Sequence, residues 1–166
     1  LLLKRVKPEG KREMSAMEWI RGIQNKEHLR FDIAWDMQQI NNPRLLAFEV
    51  LAEVELKNEY SNLLLPKYLA VSQMSKSDKA MATELVYGTL RMKGLYDQFI
   101  QRLSDRDLEA IDAKALIVLR MGIHQLNHMR TPVHAAIYES VELAKRVLGK
   151  STSSFVNAVL RRVSEI

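Results

Sequence analysis

Histidines and clustered carboxylates are the residues in this 166-residue chain whose types and spacing suggest chemistry. His124 and His128 stand four positions apart, so a helix puts both on one face, a spacing that can hold a metal ion; His134 follows a little further on. No Glu stands between the first two, the stretch from Ile123 to His128 is rich in apolar residues, and no third ligand is evident. The histidines therefore read as structural or surface-facing, and no metal site is assigned. Asp105, Asp107, Glu109 and Asp112 bring carboxylates close enough to suggest paired acid–base work. Their better reading is a solvated connection whose acidic residues sit at a helix start, where the macrodipole favours negative charge.

The chain has no cysteine. That removes disulfides, thiolate metal sites and every cysteine-nucleophile mechanism. No Gly-x-Gly-x-x-Gly turn, no phosphate loop with Gly-Lys-Ser or Gly-Lys-Thr, and no Gly-x-Ser-x-Gly elbow occurs. A self-contained nucleotide or S-adenosylmethionine enzyme needs a parallel sheet, and none is readable. No catalytic residue and no cofactor site is assigned.

What remains is cationic. The formal net charge is +5, a balance that favours a polyanionic partner because Lys and Arg bound to phosphates release condensed counterions. The 47% apolar content lets a chain of this length bury a core without crosslinks. No run approaches the roughly 20 apolar residues of a membrane span, and Leu1-Leu2-Leu3 gives way at once to Lys4 and Arg5. The chain reads as soluble and cytoplasmic, with a start that is processed or artificial because it is not Met.

The elements that must carry these residues are helices. Residues 1–42 are a basic, irregular extension broken at Pro8 and Gly10, with a short helix allowed over Ser15–Gln24. Asn42 then caps a helix begun by Pro43, and the domain of residues 43–166 starts there. Leu46, Val50 and Val54 form its stripe. Leu63, Leu64, Leu65, Tyr68 and Leu69 mark a second helix around Pro66. Ser77 is expected to cap a third, through Met81, Leu85 and Leu90 towards Gly94, with Leu95, Phe99, Ile100 and Leu103 continuing it. A further helix from Ala113 carries Leu116, Leu119, Ile123 and Leu126. Thr131-Pro132 repeats the cap-then-proline signature, Ile137, Val141, Ala144 and Leu148 share a face, and Gly149 stops that helix. Ser153 or Ser154 is expected to cap the last, along which Phe155, Val159 and Val163 align. Nothing alternates with period two for long enough to make a strand, so the fold class is all-α.

Three segments carry a resemblance: TELVYGTLR over Thr83–Arg91, LRMGIHQLNHMRTPVHAAIYESVELAK over Leu119–Lys145, and FVNAVLRR over Phe155–Arg162. In this order they resemble the NusB-like family, across about residues 43–166. That family comprises the antitermination factor NusB and the N-terminal domain of Sun/RsmB-type 16S rRNA methyltransferases, which make 5-methylcytosine. TPVHAAIYESVELAK is common to both branches, whereas ELVYGTLR and the terminal VLRR look like the methyltransferase branch. The resemblance implies two orthogonally packed helical subdomains and an RNA-binding role. It also implies a following catalytic domain, absent from this chain, that holds S-adenosylmethionine and catalytic cysteines.

An RNA site needs cations for phosphates, planar groups for stacking and amides for base edges. The family's basic residues near the first helix start map onto Arg44, where this sequence is poorer than NusB with its run of arginines; the basic extension is one substitute. Lys145, Arg146 and Lys150 close the penultimate helix and its loop, and Arg161 and Arg162 end the last. The first two also complement a helix C-terminus. Arg91 is either a phosphate contact or a solvated cap, Asn157 a base contact or a local bond, and Phe155 a stacking ring or a core residue. Tyr87 and Tyr138 read as amphipathic bridges between core and surface. His134, Glu139 and Glu142 read as structural. The expected partner is RNA, 16S rRNA first, without a membrane and with a homodimer possible. Two other readings stand: a free-standing antitermination factor working with a small-subunit ribosomal protein, and a helical protein-interaction domain without RNA affinity.

Overall fold

The computed structural model of the chain describes residues 5–6, 14–15 and 40–166. The chain divides into two units, Leu1–Trp35 and Asp36–Ile166. In the first, β1 (Arg5–Val6) pairs antiparallel with β2 (Met14–Ser15), Arg5 opposite Ser15 and Val6 opposite Met14. The sequence shows no strand there because two residues are too few to display a period. Ser15, read as the start of a helix, ends β2 instead; the rest of that helix, and the basic extension read as a substitute for the arginine run, lie outside the described residues.

The second unit is helical: α1 (Pro43–Lys57), α2 (Ser61–Val71), α3 (Lys76–Arg91), α4 (Lys93–Ser104), a 3₁₀ turn over Leu108–Ala110, α5 (Ala113–His128), α6 (Val133–Leu148) and α7 (Lys150–Ser164). Helices α1, α2 and α3 pack on one another, as do α5, α6 and α7, and α5 also reaches α1, α3 and α4. That central place explains the sequence of α5. Every residue from Ala115 to Gln125 is buried, too wide an apolar belt for a one-sided surface helix. Each fully buried Leu or Ile there contributes roughly 1.5–3 kcal/mol. No helix among the described residues is long and apolar enough to cross a membrane.

The helix starts follow local chemistry. Asn42 Oδ1 accepts from the Arg44 and Leu45 amides at 2.9 and 3.1 Å, with Pro43 in the first turn as its sequence requires. Asn42→Ala is expected to lower stability by about 1 kcal/mol; a urea titration showing an unchanged midpoint would reject the cap. At α3 the cap is Ser75 rather than Ser77. Ser75 Oγ accepts from the Asp78 amide and donates to the Asp78 carboxylate, which leaves Ser77 inside the first turn. Asp112 caps α5, accepting from the Lys114 and Ala115 amides, so the helix-start reading holds for that member of the acidic cluster.

Two other caps differ from expectation. Pro132 itself occupies the cap of α6, and Thr131 makes no cap bond. Ser153 and Ser154 lie within α7, their hydroxyls donating to Lys150 O, because α7 begins directly after Gly149. Gly149 has φ 94° and ψ 174°, a conformation costly for any residue with a Cβ, so α6 and α7 meet across a single glycine. Leu95 faces solvent, and Tyr96 takes the inward place in α4 beside Ile100.

Candidate nucleic-acid interface

The cations singled out above fall into two groups. Arg44 and Arg162 are held by the protein itself, and Arg91 has only a weak exposed pairing. Arg44 Nε donates to the buried Gln125 at 2.7 Å, and burial pulls its pKa down while Glu139 nearby opposes that shift. With Arg146, Glu139 and Glu142 it lines a small groove of about 240 Å³ between the start of α1 and α6. Arg91 stands 3.9 Å from Glu84. Arg162 donates to Leu103 O at 2.6 Å and to Asp105 at 3.2 Å, tying α7 to the end of α4; Asp105, in the left-handed region, is the cap of α4.

Lys145, Arg146 and Lys150 are exposed and gather at the α6–α7 junction. Lys145 has only a 3.7 Å approach to Glu142, one turn back on its own helix, and such exposed pairs hold little energy. Arg146 and Lys150 close no ion pair among the described residues. Phe155 is half-buried against the core, with the Arg106 guanidinium 4.7 Å above its ring.

Asn157 and Arg161 are brought together along α7, where Arg161 Nε donates to Asn157 Oδ1 at 3.2 Å. They line an open groove of about 660 Å³ whose other wall is α6, through Val133, His134 and Tyr138 among others. Tyr138 is 63% exposed and Val133 51%. Sequence reasoning left Tyr138 and His134 outside the site. Their signal is the stripe His134, Tyr138, Val141, four and three apart, which runs beside the core stripe Ala136, Ser140, Leu143, Ala144. A helix with one buried and one exposed stripe containing an aromatic presents a surface of its own.

The histidine pair has a different task. His124 is fully buried; its Nδ1 lies 2.7 Å from the Tyr96 hydroxyl and its Nε2 2.9 Å from Glu84. The Glu84 carboxylate can only accept, so Nε2–H donates to it, and in the neutral ring Nδ1 accepts from the phenol. Burial lowers the His124 pKa, opposed by Glu84, and burial pushes the Tyr96 phenol up to about 12. His128 stacks on His124 at 5.3 Å between centroids. Among the described residues no three His, Asp or Glu side chains are placed to hold a metal.

Comparison with known proteins places this arrangement. Residues 41–165 match the NusB family. A Mycobacterium tuberculosis protein bearing a methyltransferase name is 41% identical over 121 residues, which is 73% of this chain and 26% of that protein. The ribosomal RNA small subunit methyltransferase B of Pseudomonas putida is 34% identical over 121 residues, 73% of this chain and 27% of that protein. The chain thus spans about a quarter of the length of these relatives. Among solved structures, T. maritima NusB superposes with a TM-score of 0.64 at 25% identity, covering 74% of this chain and 88% of that one.

Proposed function

The chain belongs to the NusB family, and from that premise we propose that it is an RNA-binding domain that presents 16S rRNA to a methyltransferase domain of the same polypeptide, in the cytoplasm. The observation that carries the reading is the α6–α7 junction, where Lys145, Arg146 and Lys150 stand exposed with at most a weak partner. A cation already bonded to the protein's own acceptors, like Arg162, must give up those bonds to meet a phosphate, whereas these three have little to give up and release counterions on binding. The names of the relatives and their greater length support the methyltransferase and rRNA parts of the proposal. In this proposal S-adenosylmethionine is held by the catalytic domain, and the described helices supply RNA contacts.

Fluorescence anisotropy against a labelled small-subunit rRNA hairpin, repeated across a salt series, tests the reading. Neutralising Lys145, Arg146 and Lys150 to Ala is expected to weaken binding and reduce the salt slope by about 1 for each phosphate no longer neutralised. Salt-insensitive binding, or a triple variant that binds like the parent, would overturn it and favour a protein-interaction domain.

The second reading is a free-standing antitermination factor that pairs with a small-subunit ribosomal protein or with its own copy. The 88% coverage of the T. maritima NusB chain supports it. A reading frame that stops soon after Ile166 selects this second reading, and one that runs on into a strand–glycine turn–helix with a cysteine selects the first.

A further inference from the structure

We propose that the groove between α6 and α7 holds one unpaired base of a single-stranded RNA segment, stacked on Tyr138 and contacted at an acceptor edge by Asn157 and Arg161. The proposal rests on the RNA-binding reading above and deepens it by naming what the protein takes from the RNA and where.

The groove, about 660 Å³, lies within the range of small-molecule sites. Its α6 wall offers a flat aromatic surface: Tyr138 is 63% exposed, with Val133 and His134 one turn before it. Leaving an aromatic ring and a valine in water costs hydrophobic energy that a stacked base would recover. The α7 wall offers donors from Asn157 and Arg161, which are bonded to each other. Arg161 can only donate, so its Nε bond at 3.2 Å forces the Asn157 oxygen towards it. The Asn157 Nδ2 hydrogens are thereby turned away from Arg161, and the terminal nitrogens of Arg161 remain as further donors. A donor pair set beside an aromatic face matches a keto oxygen or ring nitrogen of a base lying on that face.

Charge sets the direction of the strand. Glu165 lies at the far end of the α7 wall, where it offsets the charge of Arg161. The other end of α7 meets the junction that carries Lys145, Arg146 and Lys150. Lys145 follows Tyr138 by seven residues, two turns along the same face of α6, so the backbone leaving the stacked base runs towards it. A duplex cannot use this groove, because its bases are already paired and stacked. The occupant is an unpaired nucleotide of a loop or bulge.

The test compares the same rRNA hairpin with a fully paired duplex of equal stem length, using the whole chain and its Tyr138→Ala, Tyr138→Phe and Asn157→Leu variants. Tyr138 is exposed, and circular dichroism checks that each variant folds. Tyr138→Ala is expected to weaken hairpin binding roughly 5- to 100-fold, leave duplex binding unchanged and leave the salt slope unchanged. Tyr138→Phe, which keeps the ring, is expected to bind like the parent, and Asn157→Leu to lose affinity for the hairpin alone. A Tyr138→Ala variant with parental affinity overturns the groove site, as does a Tyr138→Phe variant as weak as Tyr138→Ala. If the junction triple variant still loses salt-dependent binding in that case, only the groove proposal falls. If the parent chain binds no hairpin at low salt, both proposals fall together.

Discussion

Gly88→Ala is expected to destabilise the fold by about 2–4 kcal/mol, although alanine is the better helix former. Gly88 lies inside α3 and is buried. On an open helix the substitution would stabilise by roughly 1 kcal/mol, so the sign of the result decides between propensity and packing. Packing should win. A Cβ at Gly88 would overlap Nε2 and Cε1 of the His124 ring. That ring cannot step aside: it is fully buried and bonded at both nitrogens, to Tyr96 and to Glu84. Making room costs either backbone displacement between α3 and α5 or the loss of those two bonds. Urea unfolding gives the value, and combining Gly88→Ala with His124→Ala should cost less than the sum, because removing the ring removes the clash. A stabilised Gly88→Ala variant would show that α3 and α5 do not meet as closely as described.

Arg120→Ala is expected to cost about 3–5 kcal/mol. Arg120 stands in the middle of α5 with its side chain 5% exposed, and its Nη1 and Nε meet Glu55 of α1 at 2.8 Å and Asp97 of α4 at 2.6 Å. One guanidinium thus joins three helices. Truncation leaves two carboxylates, 14% and 19% exposed, without their main partner. Lys93, 3.0 Å from Glu55 but 42% exposed, replaces little of that loss, since exposed pairs are worth at most about 1 kcal/mol. The triple replacement Arg120→Met, Glu55→Leu, Asp97→Leu should recover most of the stability, because a well-packed apolar set avoids the desolvation of the charges. A loss below about 1 kcal/mol for Arg120→Ala would mean that water reaches the carboxylates and the network is not a structural pin.

Both sites show where sequence reading ends. Gly88 stands in the segment ELVYGTLR, and His124 in LRMGIHQLNH. Each segment supported the family resemblance, yet neither says that the glycine exists to admit the histidine. The approach joins residues 36 positions apart, and helical periodicity reports only neighbours one or two turns away. Arg120 is harder still. A cation inside an apolar run reads as an interruption until the carboxylates of two other helices are placed around it.

The candidate interface divides in the same way. The cations of FVNAVLRR and ELAKR were legible as charges, but the sequence could not say which were already engaged. Arg162 is consumed by the α4 C-terminus, Arg44 by Gln125 and Arg161 in part by Asn157, whereas Arg146 and Lys150 close no ion pair among the described residues. Tyr138 was legible only as an amphipathic residue, because its exposure depends on how α7 lies against α6.

The sequence by itself determined the helical class, the start of α1 at Asn42–Pro43, the stop at Gly149 and the family, since all of these are set by short-range periodicity, cap chemistry and matched motifs. Tertiary structure decided which serine caps α3, which histidine nitrogen faces which partner, which arginines remain free and which aromatic lines the groove. Those depend on neighbours distant in sequence, and only the packed helices bring them within bonding range.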